Sequence, residues 1–355
     1  MSLTRDTVLG ALAGVVDPDL KRDIVSLGFV KDVKIEGGEV DFTIELTTPA
    51  CPVKDQMKAE AERAVAGLNG VTAARARMTS NVRARQGFGG EAIPGVRNIV
   101  AVGAGKGGVG KTTTATNLAV SLALEGAAVG LLDGDVYGPN VPQMLGIRDQ
   151  PEIGEGNKLI PPSAHGVKVV SMGMLMPPDQ AVIWRGPMLH SAIQQFLRDV
   201  VWGELDYLVV DLPPGTGDVS LSMAQSVPVA GAVLVTTPQQ VSISDVRKAV
   251  AMFRQLNIPL LGVVENMSYY VCGHCGERAE IFGHGGGARM AEDVGISLLG
   301  EVPIDGAVRE GGDDGIPIVV ASPESAAALA WRDLSRKVAA QVSIQASRVL
   351  KVIET

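Results

Sequence analysis

Residues 98–112 read NIVAVGAGKGGVGKT: the apolar run Asn98 to Val102 breaks into glycines and ends on a lysine and a threonine. Gly105 to Thr112 fits G-x-x-x-x-G-K-[ST], and the helical pattern Thr113 to Leu124 follows at once. The motif therefore sits in the strand–loop–helix setting that gives it meaning. Glycines let successive backbone N–H groups curl around phosphate oxygens, and the start of the helix adds positive potential. The stretch Gly105, Lys106, Gly107, Gly108, Val109, Gly110, Lys111, Thr112 and Thr113 is expected to cradle ATP. Lys111 is expected to meet the β- and γ-phosphates, and the Thr112 hydroxyl to bind Mg²⁺.

Outward from this loop, short apolar runs alternate with helical stretches over residues 96–355. The expected strands are Ile99 to Val102, Ala128 to Leu132, Val167 to Ser171, Tyr207 to Val210, Ala232 to Thr236, Leu260 to Val264 and Leu298 to Val302. Helical patterns such as Pro187 to Val200 and Ser242 to Leu256 lie between them. Apolar strands separated by helices indicate a mainly parallel sheet covered on both faces. The fold class is α/β, a P-loop NTPase, and the stretch Pro323 to Ile353 is expected to be a helix on that sheet. Residues 1–78 read helix, strand, strand, helix, strand, a small α+β domain with Glu36, Gly37 and Gly38 as its hairpin turn. Residues 79–95 have no period and concentrate Gly, Arg and Pro, the pattern of a linker.

Two further strands end in acids. Leu131-Leu132-Asp133-Gly134-Asp135 puts carboxylates at the edge of the sheet where nucleotide sites form. Leu208-Val209-Val210-Asp211 is the Walker B arrangement, with Asp211 placed to hold the Mg²⁺ shell. Behind it, Leu212 to Asp218 reads as a switch loop whose Gly215 amide could sense the γ-phosphate.

The extra lysine of KGGVGK, Lys106, is not required by the general pattern. With it the loop resembles the deviant Walker A motif of the MinD, ParA and nitrogenase-iron-protein group. The resemblance implies that Lys106 crosses a homodimer interface to the partner's nucleotide. It also implies that Asp135 orients the attacking water while Asp133 supports it or the Mg²⁺. Lys106, Lys111 and Asp135 are thus the expected catalytic residues of an ATP hydrolase.

Cys272-Gly273-His274-Cys275 lies in a polar, glycine-rich loop. Its spacing suits a redox dithiol, a zinc site or iron–sulfur ligation. A redox pair normally opens a helix after a strand, which is not the setting here. Zinc needs four ligands, and His274 and His284 are uncertain additions. A cluster needs four thiolates, which a symmetric dimer supplies. Nearly the whole chain resembles the Mrp/ApbC family of iron–sulfur carrier ATPases, through DGDVYGPN (Asp133 to Asn140), WRGPM (Trp184 to Met188), DLPPGTGD (Asp211 to Asp218), ENMS (Glu265 to Ser268) and the cysteine pair. That resemblance implies a labile 4Fe-4S cluster on Cys272 and Cys275 of two chains. It also implies handover to apo iron–sulfur proteins, contact with cluster-assembly factors, and a place for Asn266 near the adenine. Asp17-Pro18-Asp19 and Thr47 to Pro52 are similar to a small domain of other iron–sulfur assembly factors. In that domain the Cys51 position implies cluster or thiol chemistry; a buried structural thiol is the alternative. Two other functions compete: a MinD/ParA-like positioning switch, and an ATPase adaptor with structural zinc on the cysteine pair.

Composition narrows the partners. Lys and Arg number 31 against 39 Asp and Glu, a net charge of −8, and aromatics make up only 4%. No nucleic-acid partner is expected from so acidic and stacking-poor a chain. No apolar run reaches spanning length, and Val342 to Ile353 is only weakly amphipathic, so no stable membrane association is expected. The apolar stretch Val8 to Val16 follows Arg5 and Asp6, whose charges cancel, and runs straight into Asp17, unlike a signal peptide. Three cysteines form no disulfide framework, and a cytoplasmic location is expected.

Overall fold

The computed structural model describes residues 3–82, 84, 92–135, 138–174, 186–215 and 227–353. These fall into two compact units, Met1–Arg83 and Ala84–Thr355. In the first, helix α1 (Arg5–Leu12) starts at Thr4, whose side chain caps Thr7 in a capping box. Strands β1 (Val30–Glu36) and β2 (Glu39–Leu46) form an antiparallel hairpin, and β3 (Ala73–Ser80) joins β2 in parallel after helix α2 (Lys54–Ala66). The alternating residues Val40, Phe42, Ile44 and Leu46 of β2 are buried, as are Met57, Ala61 and Val65 of α2. Period two meets period four across one core, which fixes the strand register because a one-residue slip would expose the whole apolar set.

The second unit is built on an eight-stranded sheet. Its strands are β4 (Val96–Ala104), β5 (Val129–Asp133), β6 (Ser163–Ala164), β7 (Val167–Ser171), β8 (Leu205–Asp211), β9 (Val229–Thr236), β10 (Leu260–Glu265) and, after a small hairpin described below, Leu298–Glu301. The order across the sheet is β6, β7, β5, β8, β4, β9, β10 and Leu298–Glu301, with only the β6–β7 pair antiparallel. Helices α3 (Lys111–Leu124), α4 (Gly186–Arg198) and α5 (Gln240–Gln255) connect the strands. Each expected strand is present, most of them longer by one to three residues at an end, because flanking residues, both polar such as Asn98 and Asp211 and apolar such as Val96 and Val229, still join the ladder.

The long helix Ala326–Ile353 packs on α3 as well as on the sheet. It buries Ala327, Ala328, Trp331, Leu334 and Val338 along one face, and Arg336 bonds Glu125 beyond the end of α3 through two nitrogens, 2.7 and 3.0 Å. Trp331 has no exposed surface, so Trp331→Ala would cost roughly 3–5 kcal/mol.

Two registers position the chemistry. Ser171, Asp133 and Asp211 are paired residues on the adjacent strands β7, β5 and β8. Thr236, Glu265 and Glu301 form a second row across β9, β10 and Leu298–Glu301. Both rows lie at the C-terminal ends of the strands, and at β8 and β4 the outgoing connections diverge, β4 leading to β5 on one side and β8 to β9 on the other. That is the switch point at which open α/β sheets bind ligands.

Candidate functional site

Gly110 initiates α3 in the left-handed region, φ +83°, which a side chain rarely tolerates. Gly105 lies against the backbone of α5, where a Cβ would fall 2.2 Å from the Asp245 carbonyl carbon. Gly107 and Gly108 face open space. The loop is thus pinned at both ends and open along the curve between them.

Beneath it the strand-end acids converge. Lys111 Nζ donates to Asp211 Oδ1 at 2.7 Å and lies 3.6 Å from Asp135 Oδ2. Thr112 Oγ1 donates to the other Asp211 oxygen, also at 2.7 Å. Asp133 is used differently: Ser171 Oγ donates to its Oδ2 at 2.8 Å, the Val141 amide to the same oxygen at 3.3 Å, and the Asp135 amide to Oδ1 at 3.1 Å. Asp133 therefore shapes the turn that carries Asp135. Burial and the Asp211 charge push the Asp133 carboxyl up to about 7, against the lowering effect of Ser171 and the Asp135 amide. Burial also holds Asp211 above the ordinary carboxylate range, although Lys111 and Thr112 pull the other way.

One buried ammonium pairs with two carboxylates, Asp211 and Asp135, and a hydroxyl and a carboxylate meet at Thr112 and Asp211. That donor set suits Mg²⁺, a hard cation that takes oxygen ligands. Ser171 escaped sequence reading because its role depends on β7 lying beside β5, which no local pattern encodes.

Asn266 is buried at the end of β10 and donates from Nδ2 to the Val109 carbonyl at 2.9 Å. It lines a cleft of about 470 Å³ with Gly110, Thr112, Thr113, Pro303 and Val308. Lys106 is half-buried and makes no ion pair among the described residues. The Gly215 amide donates to the Ala104 carbonyl at 3.1 Å. Trp184, Arg185 and Thr216 to Asp218 lie outside the described residues.

The cysteine loop is a hairpin. Strands β11 (Tyr270–Val271) and β12 (Arg278–Ala279) pair antiparallel, and the turn between them closes through Cys272 N–H to the Glu277 carbonyl, 2.9 Å, and Gly276 N–H to the Cys272 carbonyl, 2.8 Å. Cys272 is half-buried and Cys275 exposed. The Cys275 and His274 amides and the Cys275 thiol donate to Cys272 sulfur, which holds its thiol below the usual range. Arg278 stacks on Tyr269, 3.8 Å from the ring centre, and reaches His284 Nδ1 at 3.3 Å and Glu301 Oε2 at 3.5 Å. Glu265, His284 and Glu301 place ligand atoms within 4.8 Å of one another, but the Arg278 guanidinium already bonds two of them, His284 and Glu301. His284 is thus engaged away from the thiols.

In the first unit, burial pushes the Cys51 thiol up to about 11, with the Asp17 and Asp19 charges adding to it against the Val53 amide. Asp17 Oδ1 accepts from the Asp19 and Leu20 amides at 2.9 and 2.8 Å, so this carboxylate shapes the turn beside Cys51.

A phosphate loop feeding strand-end acids on a parallel sheet defines the class, a P-loop NTPase that binds nucleotide. A family model described as the NUBPL iron-transfer P-loop NTPase matches residues 95–339, and one for iron–sulfur cluster assembly proteins matches residues 5–76. The chain is 48% identical over 353 residues to an iron–sulfur cluster carrier protein of Synechocystis, covering 97% of this chain and 99% of that one. It is 51% identical over 342 residues to the carrier protein of Deinococcus radiodurans, covering 96% of each. A nucleotide-binding protein from Archaeoglobus fulgidus in complex with ADP superposes with a TM-score of 0.58 at 37% identity, covering 67% of this chain and 92% of that one. The chain belongs to the iron–sulfur cluster carrier family of P-loop NTPases.

Proposed function

We propose that this protein hydrolyses ATP and, as a homodimer, carries a 4Fe-4S cluster between Cys272 and Cys275 of two chains for delivery to apo-proteins in the cytoplasm. The observation that carries this reading is the hairpin: two adjacent, solvent-reachable thiols in a unit that has no third cysteine. Two thiolates are half of a four-thiolate site, so a second chain completes it. Exposed apolar groups beside them, Val271 and Ile281 at 40% and 58% exposure, suit a surface that meets another protein. No described helix is long and apolar enough to cross a membrane.

In the nucleotide site, Lys111 neutralises the β- and γ-phosphates. Thr112 and Asp211 would hold Mg²⁺, which supplies further charge neutralisation on the phosphates. Asp135, held by Asp133, orients the attacking water. Asn266 contributes to the base side of the cleft, and the Gly215 amide, now on Ala104, is placed to exchange that carbonyl for a phosphate oxygen. Lys106, without an acid partner among the described residues, reaches the nucleotide of the second chain.

Mixed dimers test the two-chain arrangement. Lys106→Ala and Asp135→Asn are each expected to be nearly inactive alone. Mixed, one composite site carries both lesions and the other carries none, so phosphate release should recover in part. No recovery despite proven subunit exchange refutes the trans role.

A further inference from the structure

Glu265 and Asn266 are neighbours in the chain, and between them they touch both sites. Asn266 bonds the phosphate loop at Val109 and fills the space beside Gly110, where a Cβ would lie 2.1 Å from its Nδ2. Glu265, with no exposed surface, faces the other way. Its carboxylate accepts from the Ser268 hydroxyl at 2.6 Å, from the Gly285 amide at 3.2 Å and from the Gly287 amide. Gly285 and Gly287 bracket the point where the cysteine loop ends and the helix Gly286–Val294 begins.

The other end of the hairpin is tied down by main chain. Ser268 N–H donates to the Val302 carbonyl at 2.9 Å, Val302 N–H to the Glu265 carbonyl at 2.9 Å, and Ile304 N–H to the Tyr269 carbonyl at 2.6 Å. Val302 and Ile304 line the same cleft as Gly110, Thr112 and Asn266. Both stalks of the hairpin are therefore bonded to residues in or next to the nucleotide wall, and on the far stalk side chains make those bonds, Glu265 to the Gly285 and Gly287 amides and Arg278 to Glu301.

We propose that Glu265 is a positioning residue that transmits nucleotide binding at the phosphate loop to the Cys272/Cys275 hairpin. This deepens the ATP-dependent carrier reading and rests on it. A group bound against Gly110 and Asn266 shifts the end of β10. A buried carboxylate bonded to two amides and a hydroxyl of one loop passes that shift on, because loosening any of the bonds leaves a polar group buried and unpaired. Such coupling is reciprocal, so thiol-side ligands also alter nucleotide affinity.

The test reads thiols, not clusters. In metal-free full-length protein, alkylation rates of Cys272 and Cys275 are measured by mass spectrometry with and without saturating Mg-ADP. Wild type is expected to change by about fivefold or more, the low end of typical coupling. Glu265→Gln keeps the size but turns one acceptor oxygen into an NH₂ facing amide donors. It should bind Mg-ADP with unchanged affinity and lose the thiol response, and Glu265→Asp should restore part of it. Ser268→Ala removes a single donor and should show a partial loss; it carries the test if Glu265→Gln does not fold. No nucleotide response in wild type overturns the proposal, as does a full response in Glu265→Gln or, where that variant fails to fold, in Ser268→Ala. Iron and sulfide analysis of wild type decides the carrier reading separately, since the alkylation rates need no cluster.

Discussion

Around the phosphate loop, Lys111, Asp133, Asp135 and Asp211 are buried together, and their hydrogen bonds are met by neighbouring strands and the start of α3 in the same unit. At the hairpin, Cys272 and Cys275 lie at the surface, supported by amides from their own turn, with no other thiol in the unit. The buried groups of the first region all belong to one chain, where strand register and the start of α3 bring them together. The second offers two thiols, which the proposed cluster reading makes half of a site. Burial suits charges that have permanent partners; exposure suits ligands that receive and release a cargo.

The largest expected effect breaks the first region and leaves the second. Lys111→Ala should lower ATP turnover by about 10²–10³-fold, as for other single groups aimed at developing charge. Without nucleotide, alkylation of Cys272 and Cys275 in that variant should match wild type. A change in both would mean that the regions are not separable in this way.

Next in size is the contrast among the thiols themselves. A thiol raised from 9.0 to about 11 carries roughly a hundredfold less thiolate near pH 8. Peptide-resolved alkylation should therefore find Cys51 slower than Cys272 and the exposed Cys275 by about tenfold or more, after allowing for the greater nucleophilicity of a more basic thiolate. Equal rates at the three positions would remove the distinction.

The smallest effect is on stability. Between pH about 9 and about 11 the unfolded chain releases the Cys51 proton while the folded chain keeps it. Folded stability should fall more steeply with rising pH through that window in wild type than in Cys51→Ser, as read from urea midpoints of the two proteins.

The sequence made the complete region legible and the half-site only in outline. GKGGVGKT is contiguous, so its spacing alone reports its geometry. Asp133 and Asp211 were recognisable because each closes an apolar strand, and parallel register then brings them side by side. Ser171 and Glu265 were not, since the Ser171 partner lies 38 residues away in the chain and two of the three Glu265 partners lie 20 or more away. The only trace of Glu265 was the ENMS stretch, and its glycine partners at 285 and 287 looked like ordinary loop. The hairpin carrying the cysteines was missed because two-residue strands leave no periodicity to read.

Iron and acid-labile sulfide per chain in anaerobically isolated protein test the central claim most directly. Wild type and Cys51→Ser should each hold about two irons and two sulfides per chain, four of each per pair of chains, with broad visible absorption. Cys272→Ser and Cys275→Ser should hold none. One zinc per chain without sulfide, or loss of the cluster in Cys51→Ser while Cys272→Ser retains it, would contradict the account.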